Sequence, residues 1–227
     1  MTGHTAARPG EGTTCGRPRP GVPPRACEGP GGRGSSSGKE DGVLLLQDGR
    51  VRTTGSREVY RNPWIRVRED AVEHADGSAG IYGVVEKEHF ALVLPHERDG
   101  FWLVEQFRHP VGRRAWEFPQ GTWTAGSDGS AEELARAELA EETGLRATGL
   151  RHLGHLDMAP GLSTQEFDVW LATGLSQGPT AREASEADMR HAFVTETELQ
   201  AMVRAGRFTD GPSLAAYGLL LLDRSRA

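Results

Sequence analysis

Short apolar runs, broken by polar turn-forming residues, set the texture of this chain from Val43 onward. Val43-Leu44-Leu45-Leu46, Arg57 to Tyr60, Trp64 to Glu69 and Ile81 to Lys87 predict strands, with turns at Asp48-Gly49, Asn62-Pro63 and Asp76-Gly77. A meander of this size buries too little to stand alone, so it is expected to pack on the main domain or on a second subunit. Phe90 to Leu94 and Phe101 to Phe107 predict a hairpin around Glu97-Arg98-Asp99-Gly100, and Arg113 to Phe118 a further extended run. Leu150 to Leu156 and Glu166 to Leu171 predict two more strands, joined through Met158-Ala159-Pro160-Gly161. Arg182 to Asp188 is an acidic loop before a last strand, Met189 to Val194.

Three segments change period from two to about four. Ser130 is placed to cap a helix, and Glu133, three residues on, completes a capping box. Ala131, Ala135 and Leu139 give that helix one small apolar side, and Gly144 ends it in a left-handed turn covered by Leu145. Thr195, with Glu198, predicts a second capped helix running to Ala205 and stopped by Gly206. Asp210 to Arg224 predicts a third, with Leu214, Tyr217 and Leu221 on one side. Strands interleaved with helices in this way predict an α/β fold, a mixed sheet sandwiched between helices, with a small antiparallel meander in front.

The first helix ends in Glu138-Leu139-Ala140-Glu141-Glu142-Thr143-Gly144-Leu145. Glu138 and Glu142 are four apart and share a face, with Glu141 beside them. Like charges at that spacing repel, so the face is either simply solvated or it holds a cation. A hard divalent ion takes oxygen ligands and relies on a few carboxylates plus substrate phosphates, which these side chains could supply.

Composition narrows the partners. A net charge of −6 and a pI near 5.8 exclude the basic stripe expected of a nucleic-acid binder. Cys15 and Cys27 have neither zinc-site nor disulfide-framework spacing, which fits a reducing cytoplasm. No apolar run approaches the ~20 residues needed to span a bilayer. Residues 1–41, with six of the 13 prolines and a Ser35-Ser36-Ser37 run, are expected to be a disordered tail. Residues 42–88 are expected to form the meander and 89–227 the main domain.

Glu117-Phe118-Pro119-Gln120-Gly121, a polar Gly-rich loop and the capped helix ending ELAEETGL together resemble the signature box of the Nudix hydrolases, in which a loop-helix-loop presents glutamates to magnesium. The family pattern is G-x5-E-x7-R-E-U-x-E-E-x-G-U, with U a bulky apolar residue. This chain departs from it at Ala137, where the pattern has Arg, and at Gly129, where it has its first Glu. Its loop is two residues longer, and Arg136 points about 100° away from the missing Arg. The resemblance implies Glu138, Glu142 and the carbonyl of Gln120 as ligands of Mg²⁺, with Mn²⁺ a possible substitute, and Glu141 beside a second ion. It implies a late catalytic Glu in the loop before the last strand, Glu186 or Glu183, with Glu186 preferred.

Outside the box, Val104-Glu105-Gln106-Phe107-Arg108 and Pro160, 15 residues past Leu145, are similar to ADP-ribose pyrophosphatases. Arg108, Glu117 and Pro160 are therefore the expected substrate contacts. The implied reaction is hydrolysis of a nucleoside diphosphate-sugar, ADP-ribose first, to AMP and a sugar phosphate. A GDP-sugar, a nucleoside triphosphate, or a non-catalytic ligand-binding module are the alternatives. The same resemblance implies a homodimer exchanging the meander, with Tyr60, Trp64 and Trp123 as candidates for a base pocket.

Overall fold

The computed structural model describes residues 51–123, 129–180 and 188–226. The expected strand at Val43–Leu46 and the expected tail lie outside these residues. Three strands form a separate antiparallel sheet in the order β1-β2-β3: β1 (Arg52–Arg61), β2 (Arg66–Glu73) and β3 (Ala79–Glu86). The main sheet contains β4 (Phe90–Glu97), β5 (Gly100–Arg108), β6 (Arg113–Glu117), β7 (Gln120–Gly121), β8 (Leu145–Asp157), β9 (Glu166–Gln177) and β10 (Arg190–Thr195). Its spine runs β10-β5-β4-β9-β8, with β6 on β5 and β7 on β4; β4 and β9 are parallel and the other pairs antiparallel. The helices are α1 (Ala131–Thr143), α2 (Glu196–Arg204) and α3 (Gly211–Arg224).

Strand β4 is apolar at successive positions because both of its faces are covered. Phe90, Leu92 and Leu94 point into one core with Phe101, Phe118, Phe167, Leu199, Phe208 and Leu220, under α2 and α3. Ala91 and Val93 point the other way, into a second core with Leu134, Ala135, Leu139, Leu145 and Ala172, under α1. The expected mixed sheet between helices is thus present, with the antiparallel meander beside it.

Local signals hold closely. Ser130 Oγ accepts from Glu133 N–H while Glu133 Oε2 accepts from Ser130 N–H. Gly144 takes φ 74° and its N–H bonds the carbonyl of Ala140. Thr195 and Glu198 form the second capping box, and Asp210 caps α3. One expectation needs correction, and one helix face is settled by the fold. Strand β8 begins at Leu145, not Leu150, because Leu145 pairs with Gln177 directly after the helix stop, where Arg146 to Gly149 carry no strand pattern of their own. On α3, Leu220 faces the core and Leu221 is exposed: both lie within one turn of Tyr217, and the sheet selects Leu220.

Among the described residues, hydrogen bonds tie the small sheet to the β8–β9 loop of the main domain. Val85 N–H bonds the carbonyl of Leu162, Thr164 N–H bonds the carbonyl of Val85, and Gln165 Nε2 donates to the carbonyl of Glu88. Arg57–Glu69 and Arg52–Glu73 bridge its strands in solvent, where such pairs contribute little each, and Arg66–Glu86 is a partly buried third.

Candidate metal and diphosphate site

The acidic end of α1 lies against the segment that leads into it. Pro119 accepts from Val93 N–H, and β7 adds Gln120 and Gly121 to the edge of β4, opposite Leu92 and Ala91. Glu142 is fully enclosed, and its Oε2 accepts the backbone N–H of Gln120 at 3.1 Å. One turn earlier, the Glu138 carboxylate sits over Gly121. A Cβ added to Gly121 would meet Glu138 Oε2, Cδ and Oε1 at 2.4, 2.5 and 2.6 Å. Glycine at that position is therefore a steric requirement of the carboxylate, and the two side chains of the helical repeat do converge on the Gln120–Gly121 loop.

A second layer reaches the same loop from β5, β6 and α3. Glu117, 1 % exposed, accepts on Oε2 from Arg108 Nε at 3.2 Å, Arg108 Nη2 at 2.9 Å and Gln120 Nε2 at 3.1 Å. Gln120 Nε2 also donates to Asp210 Oδ2 at 3.2 Å; that same oxygen caps α3 through Ser213 N–H. Ser213 Oγ in turn accepts from Phe118 N–H at 2.9 Å. The first turn of α3 thus clamps the strand that carries Glu117.

Burial pushes the Glu117 carboxyl up, and the Arg108 cation holds back part of that rise. Burial works against the Arg108 cation, but Glu117, Asp210 and Glu142 more than offset it, and its pKa stands above the ordinary value. Arg108 donates both Nε and Nη2 to Glu117, which fixes the plane of its guanidinium. The surplus of carboxylate around one guanidinium, with a glycine cradle under Glu138, fits a hard divalent cation. Glu138, Glu142 and the backbone of Gln120 are the residues that would hold it.

Of the residues read from the sequence, Glu138, Glu142, Gln120, Glu117 and Arg108 come together here. Glu141, half-buried, lies on the same end of α1. Pro160 does not join this hydrogen-bonded group: it is exposed in the β8–β9 loop, whose Leu162 and Thr164 are tied to Val85. Glu183 and Glu186 lie outside the described residues, though Asp188, two residues past Glu186, is held by Arg114 Nη1 at 2.6 Å. Arg136 does not replace the Arg missing at Ala137, since its guanidinium is bonded to Glu132 and to the carbonyl of Ala147. Trp123 packs against the α1 core, whereas Tyr60 and Trp64 stand exposed on the small sheet and its β1–β2 turn. Asp210 entered the sequence reading only as the first residue of the third helix; its bond to Gln120 spans 90 residues and left no local signal.

Residues 87–216 match the model of the NUDIX domain, and residues 51–85 that of the nucleoside diphosphate sugar hydrolase N-terminal domain. An ADP-ribose pyrophosphatase of Mycobacterium tuberculosis (strain ATCC 25618 / H37Rv) is 34% identical over 172 residues, 74% of this chain and 81% of that protein. An ADP-ribose pyrophosphatase of Bacillus subtilis (strain 168) is 29% identical over 136 residues, 60% of this chain and 72% of that one. A methanol dehydrogenase activator of Bacillus methanolicus is 23% identical over 176 residues, covering 77% and 94%. Among solved structures, an ADP compounds hydrolase superposes with a TM-score of 0.69 at 18% identity, covering 78% of this chain and 97% of that one, a likeness of fold.

Proposed function

This chain belongs to the Nudix hydrolase family, and from that premise we propose that it cleaves the diphosphate of a nucleoside diphosphate-sugar, with ADP-ribose the first substrate to test. The observation that carries the proposal is the convergence of Glu138 and Glu142 on a loop whose glycine leaves room for a carboxylate. A bound divalent cation, Mg²⁺ or Mn²⁺, would screen the diphosphate and polarise its oxygens. The protein's own part is to hold the anhydride in line. Arg108 offers its guanidinium to a phosphate oxygen while buried Glu117 fixes its plane, and Gln120 ties that pair to Glu142. Glu141, on the same end of α1, would sit beside a second ion. Glu186 or Glu183 takes the proton of the attacking water, whose oxygen bonds to phosphorus as the bridging P–O bond breaks. AMP and a sugar phosphate leave.

Incubating the purified protein with ADP-ribose, GDP-mannose or a nucleoside triphosphate, with Mg²⁺, Mn²⁺ or a chelator, tests this. AMP released from ADP-ribose only with the cation is the expected result. Binding of ADP-ribose with no product, even at high enzyme concentration, would overturn the enzymatic reading in favour of a binding module.

The small sheet supports a homodimer. Every residue of β1 is exposed in the single chain, and Tyr60, Trp64 (75 %), Ile81 (71 %) and Tyr82 leave apolar surface uncovered beside it. Light scattering is expected to give twice the chain mass, and Trp64→Asp to shift it toward a single chain; a wild-type protein running as a monomer would refute the dimer.

A further inference from the structure

Apart from the acidic end of α1, a group of metal-ligating side chains among the described residues is built on β8, β9 and the entry to β4, around Asp168. Asp168 lies on β9 opposite Ala91 of β4 and His155 of β8, on the sheet face that carries α1. His89, two residues before Ala91, shares that side. His152 and His155 are three apart, so on a regular strand they would point to opposite faces. The register of β8 shifts between His152 and Gly154, and this extra residue turns both imidazoles toward Asp168.

One spacing is a hydrogen bond and the other two approach those of a ligand set. His152 Nε2 lies 2.6 Å from Asp168 Oδ1, His155 Nδ1 lies 3.3 Å from the same oxygen, and His89 Nε2 lies 3.0 Å from Oδ2. Donors of His89, His155 and Asp168 all fall within 4.8 Å of one another. Bonds of about 2.1 Å to nitrogen and oxygen at tetrahedral angles would put donors about 3.4 Å apart. His89 Nε2 is enclosed and, despite its nearness to Asp168, is not aligned for a hydrogen bond, so its lone pair or proton is unsatisfied. A metal ion would satisfy it. Glu166 Oε2, 3.3 Å from His155 Nε2, adds a flanking carboxylate.

We propose that His89, His155 and Asp168 form a second metal site, for an imidazole-preferring ion such as Zn²⁺, separate from the hard-cation site on α1. Two imidazoles and one carboxylate suit zinc or its first-row neighbours better than magnesium, which favours all-oxygen surroundings. His152 holds the Asp168 carboxylate as a positioning residue, or closes the shell as a fourth ligand. An ion there joins β8, β9 and the entry to β4, just outside the loop that docks on Val85. The inference stands on this cluster alone and does not depend on the hydrolase reading.

The test is zinc titration by calorimetry of the full chain carrying Glu142→Gln, which weakens the α1 site, with visible absorption of Co²⁺ as a report on ligand geometry. One equivalent is expected to bind, with intense tetrahedral Co²⁺ bands. Adding His155→Ala should weaken zinc binding by at least about tenfold, and Asp168→Asn likewise. His155 is 48% exposed, so its truncation leaves the core intact, which circular dichroism checks. No saturable zinc binding, or binding that His155→Ala and Asp168→Asn both leave unchanged, would overturn the site and mark the cluster as an aspartate hydrogen-bonded by histidines.

Discussion

Glu142→Gln is expected to lower turnover of ADP-ribose on the order of 10³-fold while the protein stays folded. The change removes one negative oxygen and almost no volume. A divalent ion contributes several kcal/mol of charge stabilisation in phosphoryl chemistry, and about 4 kcal/mol corresponds to about 10³ in rate. The fold should tolerate the change because an amide oxygen can still accept the N–H of Gln120, the bond that Oε2 makes now. Removing a charge from a fully enclosed position lifts a desolvation cost but also loses its attraction for the Arg108 cation, so melting temperature should stay near that of the parent. Steady-state rates beside a thermal melt decide the matter. A folded Glu142→Gln protein working at the wild-type rate would end the assignment of this carboxylate as a ligand.

Gly121→Ala should be the second most damaging change, again to rate and not to stability. The new methyl carbon would lie 2.4 to 2.6 Å from all three atoms of the Glu138 carboxylate group. The obstacle is the far end of a flexible side chain, so the loop can survive by swinging Glu138 aside. A displacement of about 1 Å from productive geometry costs about 10²-fold. The expected signature is a lower kcat together with a higher cation concentration for half-maximal activity, at a melting temperature near that of the parent. If the variant keeps both kinetic values, Glu138 does not need its place over Gly121, and the cradle argument fails.

Much of this chain was legible without coordinates, and particular residues say why. Ser130 with Glu133, Thr195 with Glu198, and Gly144 act on backbone groups three or four residues away, so their meaning is local. The four-residue spacing of Glu138 and Glu142 puts them on one face wherever the helix is placed. The Gly121 and ELAEETGL signature then pointed to the family, because the loop-helix-loop is itself a nearly continuous stretch.

The rest needed the sheet. Leu220, not Leu221, is buried because α3 meets β4 and β8 at one angle out of several that its sequence permits. Trp123 serves the α1 core and Trp64 faces outward, a distinction that composition does not carry. Arg108 was expected as a substrate contact, and only the fold shows that its guanidinium is anchored on a carboxylate buried nine residues on. Asp210 reaches Gln120 only because α3 folds back over β6, and His155 reaches Asp168 only because β8 takes an extra residue. By itself, then, the amino-acid order determined where helices begin and stop and which acids share a turn, since those depend on neighbours a few bonds away. Tertiary structure alone decided which of these groups lose their water and which distant partners they meet, because burial and strand register arise from contacts between segments tens of residues apart.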